Sequence, residues 1–153
     1  MVMKRNSAKT KNPPAETEEI RVRRMQESSK KYFYTKKGRA YHLRRGAKHR
    51  AKKRNLPFDL TQEWILDRLE IGVCELTGIP FTFTPLEEYG QRNNCQPYSP
   101  TLDREISELG YVESNLRVVV AVYNYAKMHW EHEHVMNMAR RLVNKEKGGE
   151  NSV

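Results

Sequence analysis

Cysteine is scarce: Cys74 and Cys95 are the only two in 153 residues, and neither belongs to a CxxC pair. That excludes a disulfide framework and a zinc ribbon, and leaves each thiol as a small buried hydrophobe or a free sulfhydryl. Long apolar runs are missing too. No stretch approaches the roughly 20 residues a membrane helix needs, and no apolar signal segment follows the basic N-terminus. The expectation is an intracellular, cytoplasmic protein without a membrane partner.

Acid is missing from one place in particular. Between Glu27 and Asp59 there is no Asp or Glu, while twelve basic residues fall there, from Lys30 to Arg54. The formal charge is +9, so the remainder nets −3, nine less twelve. A polybasic segment on an otherwise slightly acidic chain points to a polyanion, nucleic acid ahead of a membrane surface. Neutralising phosphates asks only for density and reach of charge. The densest part, Arg44, Arg45, Lys48, His49, Arg50, Lys52, Lys53 and Arg54, supplies the candidate contacts. Tyr32, Phe33, Tyr34 and Tyr41 are interleaved with these cations; they either stack on bases or anchor a surface helix to a core.

With 37% hydrophobic and 31% charged residues, one modest core is expected, and it cannot take in the whole length. Residues 1–19, almost without large apolar side chains, are expected to form a disordered tail. Residues 20–58 form a basic helical arm of two or three short helices, because Gly38 and Gly46 interrupt an otherwise helical composition. Residues 59–145 form the folded domain, and 146–153 a flexible end.

Within that domain, Asp59 or Thr61 can cap a helix reaching Ile71, with Gly72 placed for a left-handed end. Trp64, Ile65, Leu69 and Leu66 share its inward stripe, and Asp67, Arg68 and Glu70 face water. Residues 73–76 and 81–84 alternate like short strands, 85–99 read as a surface loop, and 100–106 as a further strand piece. Residues 116–128, apolar on most sides, are expected to form a buried helix despite β-branching, with a strand as the local-propensity alternative. A final helix over about 130–143 turns Val135, Met138, Ala139 and Leu142 inward.

Asp103, Asn115 and Asn124 carry the chemistry best. Twelve and then nine residues separate them, so an acidic strand end, a polar turn and a helical face can converge on one ion. Taken singly, each is equally a solvated acid or a surface amide. Cys74-Glu75-Leu76-Thr77-Gly78, Thr101-Leu102-Asp103-Arg104, Gly110-Tyr111, Asn115-Leu116-Arg117 and Asn124-Tyr125-Ala126-Lys127, in this order and spacing, resemble the HNH (His-Me finger) endonucleases, particularly the small ones carried by bacteriophages. The basic run from Arg50 to Thr61 also looks like the segment that leads into the nuclease unit there.

The resemblance spans roughly residues 48–143 and implies an α+β fold: a small ββα-metal unit flanked by helices, with the basic arm ahead of it. It implies a metal-dependent endonuclease acting on DNA, with Asp103 and Asn124 as ligands of Mg²⁺ or Mn²⁺. Asn115 would brace the loop, and Arg104 and Lys127 would hold phosphate. Two departures stand out. Arg104 occupies the place where many relatives carry the His that activates water, and a guanidinium stays protonated at neutral pH. Glu105, His129, His42 and His49 remain as alternative bases. Thr77 stands where zinc-stabilised relatives carry a second Cys, so no structural zinc is expected. The stretch from His129 to His134 lacks HExxH spacing and reads as a polar helix start.

Two rivals come from other classes. One is a non-catalytic nucleic-acid-binding or host-enzyme-inhibiting protein on a degenerate HNH fold, with a host or phage protein as a further expected partner. The other is an RNA-binding protein, since charge alone does not separate the polymers.

Overall fold

The computed structural model describes residues 17–84 and 96–149. The chain divides into two compact units, residues 1–31 and 32–153. In the first lies most of α1 (Glu18–Phe33), with the pairs Glu18–Arg21 and Arg23–Glu27 along its surface. Glu18 and Glu19, expected in the tail, open this helix instead, where acidic side chains complement the positive end of its dipole. The tail up to residue 16 lies outside the described residues.

The second unit runs α2 (Lys36–Arg54), β1 (Phe58–Asp59), α3 (Gln62–Ile71), β2 (Pro100–Arg104), β3 (Tyr111–Val112), β4 (Leu116–Val120), α4 (Ala121–Lys127) and α5 (His132–Gly149). Short 3-10 turns at Ser107–Leu109 and Glu113–Asn115 flank β3. It is a mixed α+β arrangement in which β2 and β4 pair antiparallel and β1 and β3 pair parallel. No helix among the described residues is long and apolar enough to cross a membrane.

Neither Gly38 nor Gly46 interrupts α2. Thr35 Oγ1 accepts from the Gly38 amide at 3.0 Å, so Gly38 belongs to the capped first turn, where a Cβ would collide with the Tyr32 carbonyl oxygen. Ala40, Ala47 and Ala51 recur on one face and are fully buried in the same core as Leu60, Ile65 and Leu69. The helix assigned to a separate basic arm is therefore a core element on its alanine face and a cationic surface on the other. Phe33 and Tyr34 meet edge to face, and Arg39 stacks 4.4 Å from the Phe33 ring centre, so these aromatics anchor α2 locally.

Helix α3 starts and stops where its sequence signals stand: Thr61 Oγ1 accepts from the Trp64 amide at 3.1 Å, and Gly72 closes it in the left-handed conformation. Ile65 and Leu69 are buried, with Trp64 and Leu66 packed at the edge. Arg68 does not simply face water; its guanidinium lies over the Trp64 ring and pairs with Glu75 at 3.1 Å.

Glu113 Oε1 accepts from both the amide and the hydroxyl of Thr61, at 3.1 and 2.7 Å, tying β3 to this cap. These bonds, the hydroxyl's first, hold the Glu113 carboxyl below its ordinary value. A carboxylate depressed in the folded state stabilises the fold above its unfolded pKa of about 4.3, and that contribution disappears as pH falls through the lower folded value. Urea unfolding should therefore show Glu113→Gln approaching the wild type in stability as pH is lowered from about 5 to about 3.

Three expectations are corrected. Residues 73–76 and 81–84 make only an isolated bridge between Val73 and Pro80. The Cys74 amide to Ile79 O and the Phe81 amide to Gly72 O make that bridge; beyond it the partners lie elsewhere, with Cys74 O taking the Gly78 amide in a tight turn, Glu75 reaching Val118 O and Thr82 reaching Tyr98 O. Leu116–Val120 is a strand, with helix only from Ala121. Val118, Val119 and Val120 are all buried, so a strand covered on both faces reads as a continuous apolar run with no period of two. Along α5 only Val135 joins the core, while Met138 and Leu142 are exposed, because α5 runs on past α4, its main neighbour.

Candidate active site

Strand β2 ends on Asp103 and Arg104, and its register places Asp103 directly opposite Arg117 of β4. Directly paired residues on antiparallel strands share a face, and Arg117 Nη2 donates to Asp103 Oδ2 at 2.9 Å. Helix α4 follows β4 without a loop and lies against β2. Lys127, in its last turn, donates from Nζ to Asp103 Oδ1 at 2.9 Å and to the Arg104 carbonyl at 2.8 Å. Asp103 and Lys127 are each only 2% exposed. The acid chosen from the sequence as a cation ligand is thus a buried carboxylate with one cation on each oxygen.

Asn124, one turn before Lys127, donates Nδ2 to Thr101 Oγ1 and Leu102 O, both at 3.1 Å. A carbonyl only accepts, so the atom facing Leu102 is the nitrogen, and the carboxamide oxygen is left for another partner. Asn115 is buried beneath the β2–β3 loop. It donates Nδ2 to Ile106 O at 2.8 Å and Gly110 O at 2.9 Å, and its oxygen accepts the Ile106 amide at 3.0 Å. Its own carbonyl takes the Glu105 amide. Asn115 shapes the loop that follows Arg104 and does not line the open cleft.

That cleft, about 470 Å³, is lined by Asp103, Arg104, Asn124 and Lys127 together with Arg50, Arg54 and His129. Arg50 and Arg54 lie one turn apart on α2, so they reach the same side. Arg50 Nε donates to the Tyr111 hydroxyl at 2.9 Å. The Arg104 guanidinium sits 5.0 Å from the Tyr111 ring centre and donates to Ser107 O, which holds it in one orientation. Among the described residues, four cationic side chains line this cleft, and its one carboxylate, Asp103, is already paired.

The other candidate contacts on α2 do not line it. Arg44 donates to Leu60 O at 2.8 Å, and Arg45, Lys48, His49, Lys52 and Lys53 are exposed away from the cleft. Of the four alternative bases, only His129 lines it. His42 packs between the Phe33 and Tyr41 rings, and burial, then Arg39 and Arg45, lower its pKa.

In the stretch from His129 to His134, His132 Nδ1 shares a hydrogen bond with Tyr123 OH at 2.9 Å and His134 meets Trp130 edge to face. Burial, then the Asp103 charge, raise the Tyr123 pKa, which keeps the phenol protonated. Among the described residues no group of three or more His, Cys, Asp or Glu gathers as a ligand set. Cys74 is buried in the core. Burial raises its pKa, but hydrogen bonding from the Thr77 hydroxyl and nearby backbone outweighs that and lowers it.

The chain matches no protein-family model, no curated protein and no solved structure. Function has to come from the side chains. Arg117 and Tyr111 escaped the sequence reading as site residues; the signal for Arg117 was its position opposite Asp103, legible only with β4 taken as a strand.

Proposed function

We propose that the protein is an endonuclease of HNH type that hydrolyses phosphodiester bonds in DNA, with β2, β4 and α4 as its ββα unit. The observation that carries this reading is the meeting of Asp103, Arg104, Asn124 and Lys127 in one cleft with Arg50 and Arg54 of the basic helix. Guanidinium groups match a phosphate's oxygens in geometry and charge. Arg104, fixed by Ser107 and Tyr111, grips the phosphate under attack, and Arg50 and Arg54 hold the strand beside it. Arg104 and Arg50 are held by their contacts with Ser107 and Tyr111 before the substrate arrives, so little reorganisation is needed as charge develops.

A hard divalent cation, magnesium or manganese, fits the donors in kind. Asp103 offers a carboxylate whose oxygens each keep a lone pair beyond the one given to Lys127 or Arg117, and Asn124 offers its carboxamide oxygen. When bound, such an ion would neutralise charge growing on the phosphoryl and leaving oxygens. Lys127 and Arg117 hold the carboxylate in one orientation, and the Asn124 bonds to Thr101 and Leu102 hold the amide.

One observation favours a second reading. Both Asp103 oxygens already carry a cation, and Arg104 occupies the position where, by the resemblance, many relatives carry their base; a cleft so built binds nucleic acid without cutting it. Uncatalysed hydrolysis is slow enough that a working site must lower the barrier by well over ~8 kcal/mol.

Supercoiled plasmid incubated with the protein and Mg²⁺ or Mn²⁺ separates the two. The nuclease reading expects relaxed circles that EDTA abolishes, with Arg50→Gln/Arg54→Gln weakening plasmid binding and flattening its dependence on salt. Salt-sensitive binding with no nicking under either metal would leave the second reading standing alone.

A further inference from the structure

Resting on that nuclease reading, we propose that His129 is the proton acceptor for the attacking water. It is the one imidazole lining the cleft that also holds Asp103, Arg104 and Asn124. Arg104 cannot take a proton at neutral pH, and the carboxylate of Asp103 is held by Lys127 and Arg117.

The backbone adds an independent observation. Helix α4 stops at Met128, whose φ of 48° and ψ of −109° are those of the second residue of a type II′ turn. The Trp130 amide donates to the Lys127 carbonyl at 2.8 Å and closes that turn. Glycine is the residue suited to this position, and a methionine there is strained. Met128 is 68% exposed, so burial of its side chain does not account for the strain. The turn has a spatial consequence. Residues two apart on a continuing helix point to nearly opposite sides, whereas here Lys127 and His129 both line the cleft. The neighbouring Trp130 ring lies 4.5 Å from the His129 ring centre to centre and limits where the imidazole can turn.

The charged groups facing His129 across the cleft are Arg50 and Arg54 from α2, Asp103 and Arg104 from β2, and Lys127 from α4; Tyr111 and Tyr125 are the other titratable groups there, and His134 lies beyond Trp130. In the step itself, the water oxygen bonds to phosphorus while one of its protons passes to the free imidazole nitrogen. One P–O ester bond then breaks, its electron pair leaves with the departing alkoxide, and that oxygen takes a proton from solvent. Neutral imidazole is regenerated when the histidine releases its proton to water.

The test follows single-turnover plasmid nicking with Mg²⁺ between about pH 5 and 8. Wild type is expected to gain rate with rising pH and then level off. His129→Gln is expected to lose about 10²- to 10⁴-fold at the plateau and to lack that limb, while still binding plasmid in EDTA. His129→Ala should recover rate with added imidazole, which a merely structural role would not give. If His129→Gln nicks at the wild-type rate with the same limb, the assignment is overturned and the nuclease reading survives. If the wild type does not nick, the nuclease reading fails and the assignment falls with it.

Discussion

Replacing Asp103 with alanine should cost about 3–5 kcal/mol of folding stability, because it strands the buried Lys127 ammonium with only a backbone carbonyl as partner. Lys127→Met should be costly for the mirror reason, although Arg117, with a more exposed side chain, keeps a hold on the carboxylate. The double replacement Asp103→Leu/Lys127→Met removes both buried charges, and its cost should fall short of the sum of the single costs by about 2 kcal/mol or more. Urea unfolding of Asp103→Leu, Lys127→Met and the double variant gives this coupling; simple additivity would mean the pair contributes little in solution. The consequence reaches into function: lost nicking in Asp103→Ala would report unfolding as readily as lost chemistry. Asn124→Ala, which touches no buried ion pair, is the cleaner variant of the cleft.

Gly110→Ala should be comparably damaging, at about 3 kcal/mol or more. Gly110 has φ 75° and ψ −153°, a region open essentially to glycine alone. An added Cβ would also lie 2.5 Å from the Pro57 carbonyl oxygen, backbone that cannot swing aside. That same carbonyl accepts the Tyr111 amide at 2.8 Å where β1 meets β3, and the Gly110 carbonyl is one of the anchors of Asn115. The substitution therefore strains the loop that presents Arg104 at its start and Tyr111 at its end. A loss below about 1 kcal/mol in urea unfolding would show that the loop relaxes around the methyl group at little cost.

What could be read from the sequence was local. Helix α3 was legible because Thr61 and Gly72 act on their own neighbours, and the spacing of Asp103, Asn115 and Asn124 already suggested that they gather. Asp103 and Asn124 line one cleft, whereas Asn115 lies outside it and ties backbone beneath the β2–β3 loop. Strand β4 was hidden because burial on both faces erases the alternation that marks a strand, and an apolar run without that alternation reads equally as a buried helix. With β4 went its register, and with the register went the Asp103–Arg117 pair. Lys127 stands out in the sequence only as a candidate phosphate contact, and its burial against Asp103 depends on α4 lying along β2, which no local pattern encodes. The basic surface of α2 was plain from composition, while its part in the core rested on three alanines spaced among cations.

The most direct measurement is a crystal structure of the protein with a short DNA duplex in Ca²⁺, a hard cation taking the same oxygen ligands. A backbone phosphate is expected in the cleft within hydrogen-bond reach of Arg104, with a neighbouring phosphate at Arg50 or Arg54 and the ion against Asp103 and Asn124. A duplex bound along the exposed lysines of α2, with no phosphate in the cleft, would contradict that arrangement.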